Sequence, residues 1–224
     1  LRNSTDYARN MNAFLEWFLG SVASVDPLLR IGLAGLAILL ETSVLVGLVI
    51  PGDSIVLVAA TGATSTEEYL ALMLVIVIGA LIGETIGYFL GHYFGPAIQH
   101  SRLGRWVGHK NWTAAERFLD HRGGWAVFIS RFLPVLHSLV PLTAGIIGMR
   151  YGRFIAWTAP ACVLWASVYV TVGRSAALSF DAMAESLHFA GYLFVGVIVL
   201  FILVMTVVKK SLDKYVQKSD EGEK

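Results

Sequence analysis

Residues 69–90 hold a single charged side chain, Glu84, in a run otherwise built from Leu, Ile, Val, Ala, Met, Gly, Thr, Tyr and Phe. As a helix, such a run rises about 1.5 Å per residue and covers the roughly 30 Å of a bilayer's hydrocarbon core. The rest of the chain has the same character. Of 224 residues, 56% are hydrophobic and only 15% charged, which is more apolar surface than a soluble domain hides. A formal net charge of +1 excludes bulk nucleic-acid binding as the purpose of the chain, and the single cysteine, Cys162, excludes a disulfide framework or a cysteine-rich metal site. No short apolar run behind a basic end closes on a small-residue cleavage site, so no segment reads as a cleaved signal.

The pattern predicts an all-α membrane protein. Residues 1–30 form an N-terminal amphipathic segment in which Phe14, Leu15, Trp17, Phe18, Leu19 and Val22 alternate with Asn12, Glu16 and Ser21, suited to lying in the membrane interface. Residues 31–62 are apolar but carry Glu41 and, in their middle, Pro51-Gly52-Asp53. Proline donates no hydrogen bond and glycine favours a turn, so this stretch reads as a re-entrant hairpin that leaves on the side it entered. Ser65 followed by Glu68 is a helix-start signature for a transmembrane helix over 67–94. Residues 96–122, with Arg102, Arg105, Lys110, Arg117 and Arg122, read as a basic cytoplasmic segment on anionic headgroups, anchored by Trp106 and Trp112. A second hairpin is expected over 124–148, where Arg131, Pro134, His137 and Pro141 interrupt an apolar run. Further spans are expected over 153–178 and 188–208, ahead of a basic, polar tail at 209–224. Lysine and arginine collect in cytoplasmic loops, which places the 96–122 segment and the C-terminus inside and makes the two hairpins face each other.

The halves repeat. Glu41 stands 10 residues before Pro51 and Arg131 stands 10 before Pro141; Ala59-Ala60 follow the first proline and Ala144-Gly145 the second. Downstream, Tyr88…Gly91-His92 has a counterpart in Tyr169…Gly173-Arg174. The expected architecture is therefore an inverted repeat of re-entrant hairpin plus transmembrane helix, with an additional C-terminal transmembrane helix and an N-terminal interfacial helix. Exposed to lipid, Glu41, Asp53 and Arg131 would together cost on the order of 8–10 kcal/mol. They are expected to face one another or a water-filled cavity, acid from one half meeting base from the other.

These residues resemble the DedA family, whose wider superfamily includes eukaryotic lipid scramblases of autophagy. Glu41…Pro51-Gly52-Asp53 looks like that family's acidic motif. The stretch from Phe128 through Arg131, Pro134, His137 and Pro141 to Ala144-Gly145 is similar to its second motif, in which arginine is usual at the positions of Arg131 and His137. Gly83-Glu84…Gly87-Tyr88…Gly91 also resembles the family, where aspartate is commoner at the Glu84 position. The likeness runs from about Leu28 to Leu178. It implies a polytopic bacterial inner-membrane protein with opposed re-entrant loops, concerned with recycling undecaprenyl phosphate or flipping phospholipids and often dependent on protons.

Site residues follow from both lines of reasoning. Arg131 and His137 are the expected ligands of a phosphate headgroup, since a guanidinium fork suits phosphate oxygens; the plainer alternatives are an ion pair tethering the halves for Arg131 and a backbone-satisfied imidazole for His137. Histidine at 137 replaces a permanent charge with one that titrates near neutrality. Glu41 and Asp53, with Glu84 as a further candidate, are expected to couple protons or form ion pairs; Asp53 could instead cap a turn, and Glu84 could mark close packing beside Gly83, Gly87 and Gly91. Pro51, Gly52, Pro134, Pro141 and Gly145 are expected to break and shape the backbone. His92, His100, His109, His121 and His188 show no paired metal-ligand spacing, and no cofactor enters this reading. The function expected is that of a transporter or flippase of a phosphate-bearing lipid with protons as coupling ion. An uncoupled phospholipid scramblase is one alternative. A membrane lipid phosphatase or transferase is another, for which Ser130 and the scattered histidines supply no convincing nucleophile and base.

Overall fold

The computed structural model describes residues 2–43, 52–133 and 136–184, with the isolated positions 196, 199 and 203. Pro51, Pro134 and the span expected over 188–208 therefore lie outside the described residues, except for those three positions. The described chain is helical throughout: α1 (Arg2–Ser24), α2 (Pro27–Ser43), α3 (Gly52–Thr61), α4 (Thr66–His100), α5 (Arg102–Val107), α6 (His109–Arg122), α7 (Gly124–Ser130), α8 (Leu136–Ile146) and α9 (Tyr151–Ala184). Two of these are long and apolar enough to cross a membrane, α4 and the Tyr151–Ser179 part of α9, while α1 meets α2 at a bend of 94°.

α4 organises the rest. Ser65 caps it by accepting a hydrogen bond from the Glu68 amide at 3.1 Å, and Glu67 and Glu68 in its first turn face the positive end of the helix dipole. One face carries Leu70, Leu74, Ile78, Ile82, Ile86 and Phe89, all exposed, the four-residue spacing of a lipid-facing ridge. The opposite face carries Gly79, Gly83, Gly87, Gly91 and Gly95. Small residues let backbones approach in the absence of a hydrophobic drive between helices, and α4 uses them in two directions. At Gly79 a side chain would strike the Gly35 carbonyl of α2 at 2.7 Å, and at Gly91 it would run into the Leu142 backbone of α8. The helix also continues past the expected 67–94, through Pro96 to His100, because one proline removes only one ladder hydrogen bond.

α2 lies along the first half of α4 and α8 along the second; α3 packs on α9, and α7 packs on α9 as well. With 10 and 11 residues, α3 and α8 reach about 15 Å each, half of a roughly 30 Å hydrocarbon layer. Apolar clusters form among these helices. Ile38, Val56, Ile76, Ala80 and Trp165 belong to one and Tyr88, Val127, Leu133, Val140 and Phe154 to another, so Glu84 falls on α4 where the first gives way to the second.

Three expectations are corrected. Pro141, expected to break the backbone, lies inside α8; its missing donor removes a single bond, and its ring instead sits against α4, where a side chain at Gly87 would meet Pro141 Cβ at 3.3 Å. Gly145 likewise shapes no loop, but lies in α8 where a side chain would collide with Tyr88 and His92 of α4. Trp112 is also no surface anchor: it is buried under α8, its Nε1 donating to the Gly104 carbonyl at 3.0 Å, because α5 and α6 fold back upon the helix bundle. The side chain of Trp106 lies outside the described set.

The close approach at Gly91 gives a direct test. Gly91→Ala is expected to cost about 1–3 kcal/mol through overpacking against backbone that has no room to yield. Gly32→Ala, where an added methyl meets nothing within 4 Å, should leave stability unchanged or slightly raised. Thermal unfolding of the two variants in detergent micelles checks this; equal melting temperatures would refute the packing.

Candidate functional site: a buried charge cluster among six helices

Glu41 sits near the end of α2, and Gly52 opens α3 with Asp53 in its first turn. Any side chain at Gly52 would occupy the place of the Glu41 carboxylate, so glycine there lets an acid of one helix rest against the start of the next. In the second half, α7 ends at Ser130 and Arg131 follows as its C-cap, a position that suits a cation. His137 enters in the first turn of α8, its amide bonded to the Leu133 carbonyl at 3.1 Å. Glu84 comes from the middle of α4, and Cys162, Trp165 and Tyr169 from successive turns of α9.

These side chains meet. Arg131 Nη1 donates to Glu84 Oε1 at 3.1 Å, and the guanidinium lies over the Trp165 ring at 4.3 Å from its centroid, a cation–π contact strengthened by desolvation. Cys162 Sγ reaches the same Glu84 oxygen at 3.7 Å. His137 Nε2 stands 3.9 Å from Glu41 Oε1, while its Nδ1 is 3.1 Å from the Leu133 carbonyl. With Nδ1–H donating to that carbonyl, Nε2 turns toward Glu41 either a lone pair or, in the imidazolium, a proton; only the second attracts a carboxylate. Tyr169 donates its hydroxyl to Asp53 Oδ2 at 3.2 Å. Glu41, Glu84 and Arg131 are 4%, 5% and 6% exposed. The charges of Asp53 and Glu41, in addition to that of Glu84, act on Arg131, so three carboxylates surround one guanidinium and one imidazole.

The sequence-derived candidates are thus brought together: Arg131 pairs with Glu84, the acid of the span, and His137 faces Glu41. Trp165, Tyr169 and Cys162 escape a charge-based reading because they are aromatic or apolar residues inside an apolar run; their only signal is a spacing of three and four residues along one face of α9. Among the described residues no group of three or more His, Cys, Asp or Glu has the geometry of a metal site. Arg131 Nε has no hydrogen-bond partner among them either.

The profile of the VTT domain matches residues 50–175, more than half of the chain. This protein belongs to the DedA family of membrane proteins. The matched region contains Asp53, Glu84, Arg131 and His137, and Glu41 precedes it. The chain is similar to undecaprenyl phosphate transporter A of Staphylococcus aureus, 28% identical over 108 residues that make up 47% of this chain and 53% of that protein. It is similar to the protein DedA of Escherichia coli K12, 26% identical over 136 residues, 59% and 62% of the two chains. An alkaline phosphatase-like protein of Lactococcus lactis subsp. cremoris is 28% identical over 115 residues, 50% and 54%. The chain thus spans little more than half the length of these relatives. No solved structure matches it significantly.

A buried pair that loses one partner leaves an uncompensated charge, which costs about 3–5 kcal/mol, whereas replacing both with apolar groups is often neutral. Glu84→Leu and Arg131→Met are each expected to lower the thermal stability sharply, and the Glu84→Leu/Arg131→Met double variant to recover most of the loss. Additive losses in the double-mutant cycle would show that the two side chains do not interact.

Proposed function

We propose that this DedA-family protein carries a phosphate-bearing lipid across the bacterial cytoplasmic membrane, with Arg131 receiving the phosphate and the surrounding acids exchanging protons. The observation that carries this reading is the placement of a guanidinium, buried and stacked on Trp165, among Glu84, Asp53 and Glu41. An intramembrane cation of this kind is costly and marks a substrate or ion path by default.

Charge arithmetic links substrate and protons. With three acids ionised and His137 neutral, one guanidinium leaves the cluster at a charge of −2, counted as three negative and one positive group. A phosphate cannot enter such a field without neutralisation. A proton on Glu84 frees Nη1 of Arg131 for the phosphate, and a proton on His137 adds a positive charge beside Glu41. Lipid phosphate and protons then enter together. The relative named undecaprenyl phosphate transporter A supports the choice of an isoprenoid phosphate as cargo.

The helix packing supports an inverted repeat of re-entrant hairpins. Exchanging α2, α3 and α4 for α7, α8 and α9 maps the α2–α4 contact onto α7–α9 and the α3–α9 contact onto α8–α4. The short reach of α3 and α8 suits segments that turn back at mid-depth. The arginine-rich α5–α6 end is the cytoplasmic one in this reading. The name of the Lactococcus relative keeps an enzymatic reading in view; against it, Ser130 spends its hydroxyl on the Val127 carbonyl at 2.7 Å, leaving no activated nucleophile beside Arg131.

Vesicles reconstituted with the full chain and fluorescent undecaprenyl phosphate, with and without a pH gradient, test the proposal. Gradient-dependent movement is expected, and the stable Glu84→Leu/Arg131→Met double variant should lose it by at least about 100-fold, the scale of a lost charge-assisted contact to phosphate. Equal movement of many phospholipids would replace the proposal with uncoupled scrambling, and release of inorganic phosphate would replace it with hydrolysis. His137→Arg is expected to flatten the pH dependence of transport, because arginine stays charged throughout; an unchanged profile would remove His137 from the proton path.

A further inference from the structure

Away from the central cluster, the turn between α6 and α7 and the turn between α8 and α9 lie side by side and enclose a cleft of about 540 Å³. Each turn is made by a glycine in the left-handed region, Gly123 at φ 55° and Gly148 at φ 70°. The second turn is firmly held: Met149 N bonds to the Ala144 carbonyl at 3.0 Å, and the Tyr88 hydroxyl of α4 donates to the Met149 carbonyl. Arg122, Arg150 and Arg153 line the cleft against one acid, Asp120. The Arg153 guanidinium reaches across to the first turn, where a side chain at Gly123 would meet it at 2.8 Å. The cleft is thus a preformed concave surface with an excess of two positive charges, three arginines less one aspartate.

Its depth is fixed by α9. Cys162 touches Glu84 in the central cluster, and Tyr151, the first residue of α9, adjoins the cleft; the 11 intervening steps rise about 16 Å. That is half the thickness of a hydrocarbon core of roughly 30 Å. If the Glu84–Arg131 pair lies at the membrane centre, the arginines lie at the headgroup boundary. Aromatic rings mark the same level. Exposed Trp125, next to Gly124, packs on Trp157 at 4.8 Å, and Tyr151 is exposed beside Arg150, amphipathic rings of the kind found at a membrane–water interface.

We infer that this cleft is a second anion site, separate from the central cluster, which holds the phosphate of an anionic glycerophospholipid at the membrane surface. Guanidinium groups supply the bidentate donors that a phosphodiester takes. The aromatic rim offers the apolar contact that a lipid has and free phosphate lacks, which assigns the phosphate to a headgroup.

The test uses the full chain in neutral detergent and reads modification of Arg150 and Arg153 by phenylglyoxal, followed by mass spectrometry. Phosphatidylglycerol is expected to slow both reactions about tenfold, phosphatidylcholine and millimolar inorganic phosphate to slow neither, and the stable Glu84→Leu/Arg131→Met double variant to keep the protection. Unchanged reactivity with phosphatidylglycerol would overturn the site. Equal protection by inorganic phosphate would overturn the assignment to a lipid, and loss of protection in Glu84→Leu/Arg131→Met would overturn its separation from the central cluster. Retention of phosphatidylglycerol in native mass spectrometry should fall about tenfold in Arg150→Gln/Arg153→Gln; undiminished retention would also overturn the site, and the labelling result stands whether or not this variant folds.

Discussion

A guanidinium and a carboxylate withdrawn from water each lose several kcal/mol of solvation, and their attraction repays this only when the geometry is held closely. Arg131 and Glu84 are such a pair, and much of the fold is the apparatus that holds them. Glu84 is fixed because α4 is a long unbroken helix with its glycine face pressed on α2 and α8. Arg131 is fixed because α7 stops just before it and Trp165 covers its guanidinium face. Neither group could be kept in place by lipid, which offers no counter-charge and no hydrogen bond.

The interrupted helices follow from the same constraint. Backbone that leaves a helix at membrane depth exposes amide and carbonyl groups, and these are tolerable only where protein surrounds them. The ends of α2 and α7 and the starts of α3 and α8 all lie where α4 and α9 cross, so the side chains carried by those ends are necessarily neighbours. Glu41, Asp53, Arg131 and His137 are helix-end residues for this reason. A helix end can aim a short acid or an imidazole at a partner helix, whereas a mid-helix position on an apolar face would bury it against methyl groups. The Arg150–Arg153 cleft lies outside this zone, between the turns that join α6 to α7 and α8 to α9.

How much of this was legible varied with the range of the interaction. Ser65 and Glu68 announce the start of α4 because a cap is a contact between residues three apart in sequence. The glycines of α4 are visible as a four-residue spacing, but which helix each one admits is not, since that depends on α2 and α8 arriving from opposite ends of the same groove. Pro141 was read as a break because proline usually is one; the α8 helix absorbs it because the lost donor is a single one and the ring fills the space above Gly87. Trp112 was read as an anchor from its basic surroundings, and only the return of α6 beneath α8 shows that its ring is covered. Among the charges, Glu84 carried the weakest sequence signal and yet pairs with Arg131 at 3.1 Å, because partner choice is decided by the angle at which helices cross and not by distance along the chain.

The sequence by itself determined that this chain belongs in a membrane, that long apolar helices run where α4 and α9 lie, and that Glu41, Asp53 and Arg131 sit where lipid cannot receive them. Those are consequences of composition and of local periodicity, which each segment carries whatever its neighbours do. Tertiary structure alone decided that Glu84 meets Arg131, that Trp165 and Tyr169 complete the cluster, and that three arginines from two separate turns share one cleft. Each of these rests on contacts between segments tens of residues apart, and their energies depend on relative positions of a few ångströms that no local pattern encodes.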